Sequence, residues 1–203
     1  MSSLYSIDLM KELSDGFEED GFTPEEVKAL RAYGRLRAIR GILRGTHEVK
    51  AIDHMIDLSV PCKLPFVGAE RVSPAKSGVV KLEPQGKGLT VDDKMINLFL
   101  SEEQKSGVIV GHELRKELEA KGGNLSASIL DHLVAYPALW PESWKKDDQG
   151  NTIYVCFWDD IFRGLADGIL YVRCGYWRGG EVVSSYDWLG NDWRRYNPSA
   201  SLA

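Results

Sequence analysis

Four histidines are the first residues that could do chemistry, because clustered imidazoles bind transition metals. His47 and His54 lie seven residues apart, each beside a carboxylate, and His112–Glu113 opens a predicted helix. Neither arrangement has the HExxH spacing that places two imidazoles on one helical face. We therefore interpret these histidines as surface or capping residues and expect no metal ion.

Three aspartates near the ends of predicted strands could act as general acids or bases, namely Asp159, Asp160 and Asp187. Carboxylates beside turns more often bond to the turn itself. The sequence has no glycine-rich phosphate loop, no nucleophile elbow and no cysteine–histidine pair. A small hydrolase or nuclease that uses these aspartates is thus an alternative function, and no cofactor is expected.

A basic helix is the third feature of the sequence that could have a function. The predicted helix over residues 24–44 carries arginines that could contact phosphates: Arg31, Arg35, Arg37, Arg40 and Arg44. Acidic residues between Asp15 and Glu26 can neutralise them within the fold or across a dimer, so a homo-oligomer is compatible with the sequence. The net charge of -5 also opposes binding to phosphate backbones. A regulatory nucleic-acid-binding protein is therefore an alternative, and specific nucleic-acid binding is not expected.

Composition is that of an ordinary globular protein: of 203 residues, 43% are hydrophobic and 27% are charged. No apolar run is long enough to span a membrane, and the beginning of the chain is acidic, without a signal pattern. We expect a cytoplasmic protein, with association to a surface through a partner left open. Cys62, Cys156 and Cys174 are scattered and odd in number, which predicts buried thiols in a reducing compartment.

Local signals divide the chain into three segments. Thr23–Pro24 predicts a helix start, and residues 1–59 are predicted to be a helical N-terminal module. Prolines and glycines alternate over residues 60–90, so regular structure should stop there and the segment should be a connector. Residues 91–203 are predicted to form an α+β domain.

This last segment should contain helices over residues 111–121 and 126–136, because apolar residues recur there at helical spacing. β-Branched and aromatic residues predict antiparallel strands over 152–158 and 169–177, followed by a third strand from Glu181. These strands would form a small antiparallel sheet on which the preceding helices pack. The predicted fold class is α+β.

The C-terminal segment 170–203 mixes closely spaced aromatic residues with short runs that follow no hydrophobic pattern. A rigid scaffold is predicted from Trp158, Trp177, Trp188 and Trp193, of which the last three should be mostly buried. The candidate ligand-binding positions between them are Arg178, Val182, Val183, Ser184, Ser185, Tyr186, Asp187, Gly190, Asn191, Arg194, Arg195, Tyr196 and Asn197. Positions that accept many residue types cannot lie in a close-packed interior. One exposed face should therefore hold Arg178, Val183, Ser185, Asp187, Arg194 and Tyr196.

A series of short motifs gives the chain a resemblance to a known family. In order they are GHELRKEL at 111–118, ILDHL at 129–133, WPESW at 140–144, FW at 157–158, LYVR at 170–173, YW at 176–177, GG at 179–180, WL at 188–189 and NPSA at 197–200. Over residues 95–203 this order resembles the variable proteins of bacterial diversity-generating retroelements. In those systems a reverse transcriptase copies a template repeat with errors at adenines, and the copy replaces the end of the target gene.

The resemblance implies a C-type-lectin-like fold and a non-enzymatic display protein whose C-terminal surface binds varied partners, proteins or other macromolecules. Errors at the adenines of asparagine-type codons yield Arg, Val, Ser, Tyr, Asp, Gly or Asn, and the candidate positions hold residues of this set. Exposed Tyr, Ser, Arg and Asp on a rigid frame also have the chemistry of a paratope. Many members of the family end in Gly-Phe-Arg, whereas this chain ends in the sequence SASLA.

Overall fold

The computed structural model describes residues 6–30, 35–46 and 53–202. The chain divides into two compact units, Met1–Ile52 and Asp53–Ala203. In the described ranges, none of the helices has the length and apolar character needed to cross a bilayer.

The described residues of the first unit form the helices α1 (Ile7–Glu19), α2 (Pro24–Ala29) and α3 (Arg35–Leu43). As its sequence predicts, α2 begins after Thr23, which caps the helix in a reciprocal capping box. The single helix predicted over 24–44 is therefore described as two helices, and residues 31–34 lie outside the described part of the chain. His47 lies outside it as well.

The second unit is built on a nine-stranded sheet within residues 53–202. The strands of the unit are β1 (Met55–Asp57), β2 (Ala69–Arg71), β3 (Val79–Gln85), β4 (Gly88–Val91), β5 (Lys94–Phe99), β6 (Ile109–Val110), β7 (Val155–Gly164), β8 (Leu170–Arg178), β9 (Glu181–Trp188), β10 (Asp192–Trp193) and β11 (Ser199–Leu202). The main sheet has the order β1-β3-β4-β5-β11-β7-β8-β9, with β2 also paired to β7, while β6 and β10 form a separate pair. Of these pairs, β11 with β7 is parallel and the others are antiparallel.

The α-helices of this unit are α4 (Glu102–Ser106), α5 (Gly111–Lys121) and α6 (Ala127–Ala135). α5 coincides with its predicted range, and α6 begins after the predicted cap Ser126. β7, β8 and β9 form the predicted antiparallel meander. The α+β class is confirmed, but the sheet is larger than predicted because strands from residues 55–99 and the last residues of the chain join it.

Residues 60–90 do not lose regular structure, contrary to the prediction from their prolines and glycines. They contribute β2, β3 and most of β4. Pro84 is tolerated in β3 because β1 pairs only with Val79–Lys81, so the strand is an edge where the proline lies. Gly86, at φ +60°, turns the chain from β3 into β4. β1 likewise occupies part of the predicted helical module 1–59.

Buried side chains form two clusters, one on each face of the sheet. One cluster contains Leu130 of α6 and Phe157 of β7. The other contains Leu118 of α5 and Trp158 of β7. Alternate residues of a strand point to opposite faces. We call these surfaces the α6 face and the α5 face.

Candidate functional site

Strand alternation divides the candidate positions of β9 between the two faces. Val183, Ser185 and Asp187 lie opposite alternate residues of β8, and Ser185 lies opposite Cys174, which is buried in the α5-face cluster. Directly opposed residues of an antiparallel pair share a face. The three positions therefore share the α5 face, and the pairing places Arg178 at the end of β8 on the same side. Arg178 is exposed as predicted, but Val183, Ser185 and Asp187 are half-buried, so the prediction of full exposure is wrong for these three.

Two adjoining clefts open on this side of the second unit. The large cleft, of about 660 Å³, is lined by Gln104, Lys105, Ser106, Gly107, Gln149, Asn151, Thr152, Tyr154, Arg194, Arg195 and Tyr196. The small cleft, of about 220 Å³, is lined by Tyr154, Cys174, Ser185, Tyr186, Asp187, Tyr196 and Asn197. Tyr154 and Tyr196 line both, so the clefts are neighbours. We call the surface formed by the two clefts, Tyr176, Arg178 and Val183 the cleft face.

A row of tyrosines runs along the cleft face. The ring centre of Tyr154 lies 4.8 Å from that of Tyr176 and 6.4 Å from that of Tyr196. The guanidinium of Arg178 lies 5.9 Å from the centre of the Tyr176 ring, at the outer limit for a cation–π contact. Tyrosines offer large contact areas with few rotatable bonds, so the row suits recognition of another molecule.

The backbone of the loop after β10 is fixed without the side chains of Arg194, Arg195 and Tyr196. The buried Gln104 donates from Nε2 to the carbonyl oxygens of Arg194 and Asn197, at 3.2 and 3.0 Å. The side-chain oxygen of Asn197 accepts a hydrogen bond from the Arg194 N–H at 3.2 Å. The three exposed side chains can therefore differ without removing a hydrogen bond that shapes the loop.

Rigid packing lies beneath the clefts. Trp193 has no exposed surface and packs on Trp158 with ring centres 4.8 Å apart. A side chain at Gly111 would collide with the Trp193 indole, which explains the glycine there. Cys156 and Cys174 lie directly opposite each other on β7 and β8 and form a disulfide. The prediction of free thiols is wrong for these two cysteines, because the strand register brings them together.

Two of the scaffold tryptophans are less buried than predicted. Trp177 is half-buried, with Nζ of Lys145 4.0 Å from its ring centre. Trp188 is 42% exposed, so the prediction that it is mostly buried is wrong. Its indole covers Gly190 in the turn after β9, where any side chain would meet the ring. Trp188 thus packs on a turn and not in the core.

Several candidate binding positions of β9 lie on the opposite, α6 face. Val182 is only 4% exposed and belongs to the α6-face cluster. The hydroxyl of Ser184 accepts a hydrogen bond from the buried Arg173 at 2.8 Å. The ring of Tyr186 packs 5.0 Å from that of Phe66, although Tyr186 also contributes to the small cleft. Val182 therefore lies in the interior, whereas Ser184 and the 45% exposed Tyr186 remain at the surface on the α6 face.

Three further candidates stabilise the backbone. Asn197 is 7% exposed and holds the loop after β10. Asn191 donates from Nδ2 to Asp187 Oδ1 at 2.6 Å, which ties the turn after β9 to its strand. Gly190 lies under the Trp188 indole. Asn191 is exposed and Gly190 half-buried, but both have a role in the turn itself.

The aspartates of the hydrolase alternative have separate partners. Asp160 is fully buried, accepts two hydrogen bonds at the start of α6 and pairs with Arg71. Asp159 pairs with Lys76 at 2.7 Å, and burial raises the pKa of Asp159 while Lys76 opposes that shift. Asp187 accepts hydrogen bonds within its own turn. Because these partners are structural and not shared, the arrangement does not favour joint acid–base catalysis.

Outside the clefts, His54 and His132 form a pair with 3.0 Å between Nδ1 of His54 and Nε2 of His132. Tyr136 packs on both rings. Within residues 6–30, 35–46 and 53–202, no group of three or more His, Cys, Asp or Glu side chains is arranged to hold a metal ion. Burial raises the pKa of Cys62 to about 11, so its thiolate is scarce at neutral pH and the thiol is a poor nucleophile.

The basic helix is described in part. Arg37 and Arg40 of α3 and the following Arg44 are exposed. They lie three and four residues apart and so share one side of the helix. Arg31 and the side chain of Arg35 lie outside what the structure describes.

Sequence reasoning missed Tyr154, Tyr176 and Gln104 as parts of the site. Gln104 had a usable signal, since Ser101–Gln104 has capping-box spacing and the structure contains that box. A glutamine in this role accepts a hydrogen bond with its oxygen and keeps its amide N–H groups for another partner. The two tyrosines had no such signal, because their proximity to Tyr196 depends on how β7, β8 and the last loop meet.

In comparisons with known proteins, no family model, no curated protein and no solved structure matches the chain. What the protein does is therefore inferred from the cleft face and from the motif resemblance.

Proposed function

We propose that the protein is a non-enzymatic display protein whose cleft face binds a macromolecular partner and is diversified by a retroelement. One observation carries this proposal. The exposed side chains of Arg194, Arg195 and Tyr196 make none of the hydrogen bonds that fix their loop, because those bonds come from Gln104 and Asn197. Substitution is tolerated on a surface supported from beneath and is costly in a close-packed interior.

The chemistry of the face suits a protein partner. Tyr154, Tyr176 and Tyr196 supply rigid aromatic area, and Arg194 and Arg195 are exposed donors. Tyrosine and arginine are enriched at the residues that dominate binding energy in protein interfaces. The two clefts add concavity, into which a projecting side chain of a partner can insert.

We also propose a C-type-lectin-like fold for residues 94–202. Support comes from α5 and α6, which lie between β5 and the meander of β7, β8 and β9, and from β11, which returns to pair with β5. Ser199, Ala200 and Ser201 have no exposed surface in β11. These residues thus belong to the interior of the sheet.

The DNA that flanks the gene tests the proposed function. We expect a nearby reverse transcriptase gene and a near-copy of the 3′ end of the gene that differs only at adenines. The differences should change the codons of Ser185, Asp187, Arg194, Arg195 and Tyr196. The codons of Val182 and Trp193 are the matched controls and should agree between the two copies, because both side chains are buried. A locus without a template copy, or differences spread equally over buried and exposed codons, would contradict the proposal.

A further inference from the structure

The described helices of the first unit carry exposed apolar side chains. In α1, Leu9, Met10 and Leu13 are 47%, 54% and 52% exposed, and Leu13 follows Leu9 by four residues and Met10 by three, which places them on one helical side. In α3, Leu36 and Leu43 are 55% and 83% exposed and lie one above the other. Neither α1 nor α2 contains a buried residue.

Helices of this kind need a partner to be stable. α1, α2 and α3 have 13, 6 and 9 residues, and isolated helices of such lengths are marginal in water even with favourable sequences. Most helical stability in proteins comes from packing an amphipathic face. The exposed apolar residues of α1 and α3 thus lack the packing that ordinarily stabilises such helices.

The charges beside the two apolar faces are opposite. α1 holds one lysine and the acidic residues Asp8, Glu12, Asp15, Glu18 and Glu19. Residues 35–46 contain no acid and carry Arg37, Arg40 and Arg44 on one side of α3. Among the residues that the structure describes, none of these acids or arginines forms an ion pair. Within the described ranges, an acidic and a basic amphipathic helix of one chain therefore both lack an ion-pair partner for these side chains.

We propose that this unit is a dimerisation surface, in which α1 of each copy of the chain packs against α3 of a second copy. A two-fold axis brings each helix of the pair onto its complement in the other chain, so both apolar faces are covered and both sets of charges are matched. A membrane surface fits less well, because membrane-bound helices carry lysine and arginine on their polar face and α1 is acidic. Nucleic acid could engage α3 but would leave α1 uncovered.

Dimerisation would place two cleft faces in one particle. Linked binding sites raise the apparent affinity for a partner that repeats on a surface, without any new contact. This increase in apparent affinity would help a binding face that is diversified, as proposed above, because a single copy of the face then binds with an affinity that differs from one version of the gene to the next.

Charge reversal tests the dimer with the full chain. One variant carries Arg37→Glu, Arg40→Glu and Arg44→Glu, and a second carries Glu12→Lys and Glu19→Lys. The mass of each protein in solution is measured by light scattering after gel filtration. Wild type should have twice the mass of one chain, and each variant alone should have the mass of one chain, with dimer affinity weakened at least about 100-fold by like charges at the interface.

Mixing the two variants separates a lost interface from a failure to fold. Each variant then meets its complement, so an equimolar mixture should regain the mass of a dimer. The matched control is Glu113→Lys with Glu117→Lys on exposed positions of α5, which should remain dimeric. A single-chain mass for wild type, dimers in either variant alone, or a mixture that stays monomeric would overturn the proposal. A monomeric wild type that binds anionic vesicles or duplex DNA would overturn it in favour of that partner.

Discussion

Two tryptophans five residues apart, Trp188 and Trp193, have opposite environments. Trp193 is fully buried against Trp158, and Trp188 is 42% exposed over a turn. Trp193→Ala should therefore destabilise the fold by about 3–5 kcal/mol, and Trp188→Ala by about 1 kcal/mol, because little of its contact area is in the core. Urea denaturation midpoints check the difference. Equal losses for the two variants would contradict this assignment of core and turn.

The sequence alone could not separate these tryptophans. Both belong to the same aromatic pattern, and their burial depends on the turn at Leu189–Gly190, after which the chain leaves β9 and enters β10. The predicted placement of candidate binding residues failed at Val182 and held better at Ser185. Val182 has a permitted residue type but lies inside, whereas Ser185 lies on the cleft face because strand alternation points it there.

The His54–His132 pair predicts a pH dependence of stability. Burial, and then the nearby His54, lower the pKa of His132 below its usual value of 6.5. The folded state thus binds a proton less readily than the unfolded chain, so this contribution to stability is present above the usual pKa and is lost as the pH falls through the folded pKa. The urea concentration at the unfolding midpoint of wild type should therefore decrease as the pH is lowered from about 7.5 to about 5.5.

Two variants check the origin of this effect. His132→Gln should show a smaller fall than wild type, because the titrating group is gone. His112→Gln changes an exposed histidine of α5 and should retain the wild-type fall. An unchanged fall in His132→Gln would show that other groups cause the pH dependence.

At the scale of elements, helices with local signals were predictable and the first half of the sheet was not. α5 and α6 have caps and apolar stripes within their own sequences. β3, β4 and β5 are joined by two-residue turns, Gly86–Lys87 and Asp92–Asp93. Asp92 and Asp93 both have positive φ, which is a hairpin geometry that aspartate tolerates. The nearby prolines led the sequence analysis to predict a connector in spite of these turn signals. A proline is compatible with β3 only because it lies at an edge of the sheet, and that position depends on the tertiary structure.

The pairing of β7 with β8 carries a prediction about redox state. The Cys156–Cys174 disulfide spans a sequence separation of 18 residues, and closing a loop of this size stabilises a fold by about 3 kcal/mol. Reductant should lower the urea midpoint of wild type. The double variant Cys156→Ala with Cys174→Ala should have a low midpoint that reductant does not change. A wild-type midpoint that is indifferent to reductant would contradict a stabilising disulfide.

At the scale of the whole molecule, the disulfide and the expected compartment disagree. A structural disulfide persists in oxidising compartments and is rare where thiols are kept reduced. The expectation of a cytoplasmic protein came from the absence of a signal pattern and from scattered cysteines. The bond between β7 and β8 favours an oxidising environment for the second unit.

The second unit as a whole separates a close-packed interior from exposed side chains at the clefts. Its α6 face and the layer beneath the clefts are close-packed, and the loop after β10 presents the side chains of Arg194, Arg195 and Tyr196 on a backbone that Gln104 and Asn197 hold. The sequence predicted this separation correctly for the buried Trp193 and the exposed Arg194 and Tyr196, but not for the exposed Trp188 or the buried Val182. The clefts themselves could not be predicted from the sequence, because they form only where α4, the segment before β7 and the loop after β10 meet.

The most direct test compares two libraries of the full chain, displayed on cells and sorted for resistance to protease. The first randomises the cleft-face positions Ser185, Asp187, Arg194, Arg195 and Tyr196 together. The matched library randomises the buried positions Val172, Val182, Leu189, Trp193 and Asn197. Most clones of the first library should resist protease as well as wild type does, and few of the second should. Equal losses of resistance in the two libraries would contradict the claim that this face is a display surface.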